Sequence, residues 1–297
     1  MAARTTIVIV SYNTRDLLRG CLESLRDHVL GVPVIVVDNA SRDGSAAMVA
    51  QEFPEVRLVE NPSNVGFGTA NNRALAEVST ELAFLLNSDT RLEADVVSAL
   101  AATLDASPGA AIVGCKLILP DGRVQRSARR FPSAWRSLCN AIALADLIPT
   151  VVTAVDYVDG AAMLVRMDAM REIGGFDEQF FLYVEDADLC RRVHDRGWRV
   201  LYDPRVAVVH LGGASTTRGS ARDDRLRWEG LARYAAIHLG AVHYGAFVCA
   251  RALELIRQVA SGGMRWILLD DKEGRQNSRS AARYLRWHWE FIRPRRG

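Results

Sequence analysis

Within the first ninety residues, short runs of aliphatic residues alternate with segments whose apolar positions recur at helical spacing. The runs are TTIVIV (5–10), PVIVVD (33–38), VRLVE (56–60) and LAFLLN (82–87), and the expected helices lie at about 14–29, 43–52 and 68–78. Continuous apolar strands separated by helices are strands buried on both faces. The alternation therefore predicts an α/β fold with a mostly parallel central sheet. Such sheets bind ligands at their strand carboxyl ends. Polar residues gather there: Ser11, Tyr12 and Asn13 after the first run, Asp38, Asn39 and Ser41 after the second, and Asn87, Ser88 and Asp89 after the fourth.

Beyond residue 110 the apolar pieces change character. AIVGCKLIL (111–119), YVDGAAMLVR (157–166) and WRVLYDPRVAVVH (198–210) are separated by polar stretches, and RVQRSARRFPS (123–133) predicts a mobile loop spanning about 121–150. GGASTTRGSARDD, after Leu211, has the composition of a connection. Helical patterns follow at about 223–240, 242–260 and 278–292. The charge balance changes at the same place: residues 216–297 hold sixteen basic against eight acidic residues, whereas the first 215 hold about six more acids than bases. Two regions are expected, 1–215 and a basic, mainly helical 216–297. The five cysteines form no CxxC pair and fit reduced, buried thiols better than a zinc or disulfide framework. No apolar stretch reaches the roughly 18 residues of a membrane span, so a cytoplasmic location is expected.

Several residues are candidates for chemistry. In FFLYVEDADLCRRVHDRGW (180–198), a helix places Asp186 in line with Leu189, Cys190 and Val193, and pairs Asp188 with Arg192 on the solvent side. A carboxylate at an apolar edge has a raised pKa and suits proton transfer, although helix capping explains the acids equally well. Asn87-Ser88-Asp89 fits either turn chemistry or a carboxylate holding a divalent ion against a diphosphate. Asp38 is placed for an N-cap or for a base or ribose; His210 for a satisfied strand end or a metal shell. NVGFGTANNRAL (64–75) suits close approach of backbone to an anion, but matches neither the P-loop nor the dinucleotide fingerprint.

In order, VSYN (10–13), VVDNASRDGS (36–45), NPSNVGFGTANN (61–72), LLNSDT (85–90), DYVDGAAMLVR (156–166), GGFDEQFFLYVEDADLCRRV (174–193) and GWRVLYDPRVAVVHLGG (197–213) resemble the family 2 glycosyltransferases, most closely their bacterial rhamnosyltransferase-type branch. The resemblance covers about 7–215. It implies a GT-A (nucleotide-diphospho-sugar transferase) fold carrying a C-terminal helical appendage, and inverting sugar transfer from a nucleotide diphosphate. The implied donor is dTDP-rhamnose-like or a UDP-sugar, and the implied acceptor is a cell-surface glycan, free or lipid-linked.

By the same resemblance, Ser11, Tyr12 and Asp38 line the nucleoside pocket with Asn72 nearby. Asn87, Ser88 and Asp89 correspond to the family's DxD, with Asn in place of the first acid. Asp89 and His210 would hold Mn or Mg, Gly160 and Ala161 would lie near the donor sugar, Asp186 would be the general base, and Glu185 would orient the acceptor or the base. Phe181 and Tyr183 would stack on a sugar or pack as core, and Arg129 and Arg130 would clamp the diphosphate or remain solvated. Two other readings compete: a polyprenyl-phosphate sugar transferase, and a catalytically silent sugar-nucleotide or glycan-binding module. For the tail, Trp228, Trp266, Trp287 and Trp289 among arginines suggest an anionic membrane surface, at the inner face of the plasma membrane, or packing on the core or across a homodimer. No motif supports nucleic-acid binding.

Overall fold

A computed structural model describes residues 4–133, 148–211, 221–269 and 272–292. The chain divides into two compact units, Met1–Arg130 with Ile148–Ser215 and Phe131–Leu147 with Thr216–Gly297.

The first unit opens as β1 (Thr5–Ser11), α1 (Arg15–His28), β2 (Val34–Asp38), α2 (Ser45–Glu52), β3 (Arg57–Glu60), α3 (Phe67–Leu75) and β4 (Leu82–Asn87). The four strands lie in the order β3-β2-β1-β4, all parallel. The interiors of β1, β2 and β4 are apolar and almost wholly buried, with α1 and α2 covering one side and α3 the other, whereas β3, at the sheet edge, is only half-buried at Leu58 and Val59. The chain continues through β5 (Thr90–Arg91), α4 (Val96–Asp105), β6 (Ala110–Ile118), β7 (Val124–Gln125), β8 (Ala128–Arg129), β9 (Thr153–Val155), β10 (Tyr157–Val158) and β11 (Ala162–Arg166). It closes with α5 (Met167–Ile173), α6 (Glu185–Asp195) and β12 (Arg199–His210). β11 enters antiparallel between β4 and β6, and β12 runs parallel to β6, giving the path β3-β2-β1-β4-β11-β6-β12-β5. The sheet is thus mixed, with parallel pairing along its first four strands.

Of the expected mobile loop, residues 134–147 lie outside the described residues. The part before them is ordered: β7 pairs with β6, and β8 with β10. Cys21, Cys115 and Cys190 are buried as expected, and burial pushes the first two thiols up to about 12. Cys249 is exposed, against expectation, and Cys139 lies outside the described residues.

The second unit is built from α7 (Ala221–His238), α8 (Ala241–Leu269) and α9 (Lys272–Ile292). Its interior includes Trp228, Tyr234, Phe247, Leu255 and Ala281, and Phe131 stacks on Tyr234 with ring centroids 6.2 Å apart. α8 runs nine residues past the expected end, straight through Gly262-Gly263. The small residues admit α9, whose Ser278 hydroxyl donates to the Val259 carbonyl at 3.1 Å, and this packing outweighs the poor helix propensity of glycine. No helix among the described residues is long and apolar enough to cross a membrane.

One position in the sheet controls how the second half lies on it. A Cβ at Gly114 in β6 would stand 2.6 Å from Cβ of Val158 in β10, so only glycine lets β10 lie against the sheet and set the course of residues 159–161. Gly114→Ala is expected to destabilise the protein by about 1–3 kcal/mol in urea unfolding, an overpacking cost. Gly122→Ala, at an exposed turn with φ 83° and open space around it, is expected to cost about 1–2 kcal/mol from backbone strain alone and to leave the packing of β10 on the sheet unchanged.

Candidate active site

Strand register brings the polar strand ends to one edge. Ser11 stands opposite Asp38, and Val10 opposite Asn87. Ser11 Oγ lies 2.9 Å from Thr14 Oγ1, which lies 2.8 Å from Ser88 Oγ, so a buried chain of three hydroxyls ties the end of β1 to the end of β4. Tyr12 is partly exposed on the loop between them, beside Asn13 in the left-handed region at φ 53°. Asp38 is 3% exposed, and its Oδ2 accepts from the Ser41 N–H at 2.9 Å. Its Oδ1 is buried with no hydrogen-bond partner among the described residues. Buried carboxylate oxygens are ordinarily paired, so this one suits a ligand that brings an N–H or O–H.

Asn39 was visible in the sequence but given no role. It is buried and organises the neighbouring loop: its Oδ1 accepts from Asn61 Nδ2 and the Val65 N–H, both at 3.0 Å, and its Nδ2 donates to Asn64 and to the Gly66 carbonyl.

Asp89 occupies the turn between β4 and β5, and His210 ends β12, two antiparallel partners through Thr90 and His210. Asp89 Oδ1 and His210 Nε2 are 3.2 Å apart, both nearly buried. The other imidazole nitrogen, Nδ1, lies 2.9 Å from Gln125 Oε1. The ring thus stands between two acceptor oxygens; with Nδ1 donating to Gln125, Nε2 and Asp89 Oδ1 are left side by side as a pair that would fit a shared cation, with Gln125 orienting the imidazole from behind. Groups of three or more His, Cys, Asp or Glu suited to a metal are absent among the described residues, so a divalent ion here would take its remaining oxygens from substrate and water.

Asp186 is the second residue of α6, where carboxylates suit the helix dipole. Its Oδ2 accepts from the Gly160 N–H at 3.1 Å and its Oδ1 from the Ala187 N–H at 2.8 Å. Burial pushes its pKa up to about 6 and the Asp159 carboxylate adds to that, while the two N–H groups and Arg129 partly offset it. Asp159 and Arg129 form a two-point ion pair at 2.5 and 2.9 Å. Glu185, one residue earlier, is buried at the first position of α6. Leu189, Cys190 and Val193 are buried as the helical spacing predicted. The Asp188–Arg192 pair forms at 2.8 Å but is not on the wet side. Asp188 is 1% exposed, because Arg192 also donates to the carbonyls of Ile173 and Gly175 and draws that loop over the helix.

Gly160 and Ala161 join these two halves. While the Gly160 N–H holds Asp186, the Ala161 carbonyl accepts from the Asn87 N–H at 2.9 Å. The backbone before α6 is strained: Tyr183 and the β-branched Val184 both lie in the left-handed region, at φ 71° and 72°. Residues so held cost about 1–3 kcal/mol each and collect at functional sites.

Two expected ligand contacts are taken up by the protein itself. A Cβ at Gly66 would stand 2.5 Å from the Phe181 carbonyl, and the Phe67 N–H donates to that same carbonyl at 2.9 Å; the close approach at the start of α3 is made by the segment before α6 rather than by an anion. Asn72, expected beside the nucleoside, has both ends of its amide on the Phe176 backbone, at 2.9 and 2.8 Å, and so clamps the loop after α5.

Comparisons with known proteins bear on the family and the fold. The sequence profile of glycosyl transferase family 2 matches residues 6–174. The chain is 31% identical over 214 residues to the N-acetylglucosaminyl-diphospho-decaprenol L-rhamnosyltransferase of Mycobacterium tuberculosis, covering 64% of this chain and 70% of that protein. To rhamnosyltransferase WbbL of Escherichia coli it is 26% identical over 230 residues, covering 69% and 82%. Among solved structures, mannosyltransferase PcManGT of Pyrobaculum calidifontis in complex with GDP-Man and Mn2+ aligns with a TM-score of 0.62 at 20% identity, covering 98% of this chain and 87% of that one. S. aureus TarS 1–349 in complex with UDP aligns with a TM-score of 0.53 at 16% identity, covering 99% and 93%. The structural likenesses give the fold, GT-A, and the profile spans more than half of the sequence: the chain belongs to glycosyl transferase family 2 and is a glycosyltransferase.

Proposed function

We propose that this glycosyltransferase inverts the anomeric centre of a nucleotide-diphosphate sugar, with Asp186 as general base and the strand edge from Ser11 to Asp89 as donor site. The observation that carries the reading is the shared segment Gly160-Ala161, which hydrogen-bonds the candidate base on one side and the Asn87-Ser88-Asp89 turn on the other. The rhamnosyltransferase relatives favour a dTDP-rhamnose-like donor over a UDP-sugar. The decaprenol-linked acceptor named for the mycobacterial relative favours a lipid-linked glycan as acceptor, at the cytoplasmic face of a membrane. A silent binding module would have no need of a carboxylate held half-protonated near pH 6.

In this reading Asp38 Oδ1 accepts from the nucleoside, with Ser11 and Tyr12 alongside, and the Asn87-Ser88 turn supports the diphosphate end. Asp89 and His210 Nε2 would hold Mn or Mg, whose charge would stabilise the departing diphosphate. Asp186 accepts the proton of the acceptor hydroxyl as that oxygen bonds to the anomeric carbon. The carbon–oxygen bond to the diphosphate breaks on the opposite face, and the bond pair leaves with the nucleotide. Each oxygen of Asp186 is already fixed by one backbone N–H, so the base is oriented before substrate arrives. Glu185, buried next to it, positions the base. The division into a catalytic unit over 1–215 and a basic helical region over 216–297 belongs to the same proposal.

Calorimetric titration with dTDP, UDP and GDP, with and without Mn, tests the donor site. Binding of one nucleotide that strengthens with Mn and is lost in Asp89→Ala is the expected result; a well-folded protein that binds none of the three would sink the proposal. For the base, kcat/KM is expected to fall about tenfold per pH unit below pH 6, and Asp186→Asn to lower kcat about 10²- to 10⁴-fold.

The same carboxylate has a stability signature of opposite sign. A pKa raised from the 3.8 of an unperturbed carboxyl to about 6 means that folding favours the protonated form, so stability falls as pH rises from about 4 to 6. In thermal melts wild-type stability is therefore expected to fall by about 1–3 kcal/mol between pH 4 and pH 7, and Asp186→Asn, which cannot titrate, is expected to lack that fall. The same fall in the variant would show that another group is responsible.

A further inference from the structure

The second unit carries an exposed apolar stripe that the enzyme reading does not use. Along α8, Val242, Cys249, Leu253, Ile256, Met264 and Ile267 are all exposed, Val242 to 83% and Ile267 to 75%. Their separations of seven, four, three, eight and three residues keep them within an arc of about 80°, over a length of roughly 38 Å. The opposite face, with Phe247, Glu254, Leu255 and Gly262, is buried inside the unit. An amphipathic helix normally turns its apolar face inward; α8 is apolar on both faces and packs only one.

Charge decides what covers the other. The single carboxylate of α8, Glu254, is buried and paired with Arg251 at 2.5 Å, so the charged residues at exposed positions of this helix, Arg257 and Arg265, are both cationic. On α9 the exposed Arg275, Arg279 and Arg286 form a second row, and Arg275 lies over the Trp266 ring at 4.7 Å, which fixes the arginine row beside the apolar one. Among the described residues these rows expose no carboxylate. A second copy docked through the same face would bring cation against cation, whereas an anionic lipid surface offers hydrocarbon for the stripe and phosphate for the arginines. We infer that α8 and α9 form a lipid-facing surface that seats the protein on an anionic membrane, with the α8 stripe at the headgroup–acyl boundary. Of the four tryptophans expected from the sequence to do this, Trp228 is buried inside the unit, Trp287 is half-buried against Tyr284, Trp266 is exposed on α8 beneath Arg275, and the side chain of Trp289 lies outside the described residues.

The inference stands apart from the transfer chemistry, so its test needs no activity. The full chain is sedimented with phosphatidylcholine vesicles with and without phosphatidylglycerol. The expected result is binding to the anionic vesicles alone, diminished by added salt and weakened about tenfold or more by Leu253→Asp combined with Ile256→Asp. Arg275→Glu with Arg279→Glu, both on the exposed face of α9, is expected to weaken it also, and serves as a second probe should the first variant lose helicity by circular dichroism. Absence of binding to anionic vesicles, or equal binding by both variants, overturns the inference. So does a wild-type dimer in sedimentation velocity that the Leu253/Ile256 variant dissolves, since that outcome assigns the stripe to a second copy of the chain.

Discussion

The geometry of the candidate site depends on two backbone hydrogen bonds made by adjacent residues. From Gly160 the N–H points to Asp186; from Ala161 the carbonyl receives the N–H of Asn87. The first bond fixes a carboxylate on a helix, the second fixes the end of a parallel strand, and the two residues between them are the entry to β11. A shift of this short segment would separate Asp186 from the Asn87-Ser88-Asp89 turn, and in the proposed reaction a misplacement of about 1 Å is enough to cost large factors in rate. Gly114 matters for the same reason at one remove, since it admits β10 and so sets the course of residues 159–161.

The carboxylate itself is held between opposing effects. Burial and Asp159 favour its neutral form; two N–H groups and Arg129 favour the anion, and the balance falls near pH 6. In the proposed role of general base neither extreme would serve, because a fully solvated aspartate is a weak base and a fully desolvated one would stay protonated at neutral pH. The Asp159–Arg129 ion pair keeps both influences in place together, since removing either partner would leave the other acting alone on Asp186. Left-handed Tyr183 and Val184 are a conformational cost of delivering the helix start to this spot.

The parallel half of the sheet was legible in the sequence because burial on both faces leaves uninterrupted apolar runs, and β4 is where LAFLLN predicted it. The face of α6 that carries Leu189, Cys190 and Val193 was legible from spacing. Antiparallel insertion of β11 was not, because nothing local in YVDGAAMLVR distinguishes a strand running one way from one running the other. Partners distant in sequence were equally hidden: Gln125 behind His210, Phe181 against Gly66, and Phe176 on Asn72 are tertiary facts that no short window contains. The burial of Asp188 escaped prediction for a related reason, since an i,i+4 ion pair looks the same in sequence whether or not a loop later closes over it.

β5 is only two residues long, yet its pairing with β12 is what sets Asp89 beside His210. Between those two residues lie α4, β6 to β11, α5 and α6, and with them Asp186, the proposed base. Clipping Asp89 and His210 together at a two-residue ladder separates their placement from the length of everything between. Over evolutionary time the intervening segments are free to gain or lose residues at their surface turns, and so to exchange one acceptor for another, while a single-residue insertion within Thr90–Arg91 or at the end of β12 would turn His210 to the other side of the sheet. The clip is therefore where the lineage is expected to tolerate least variation in length, and the region it encloses is where specificities are expected to diverge.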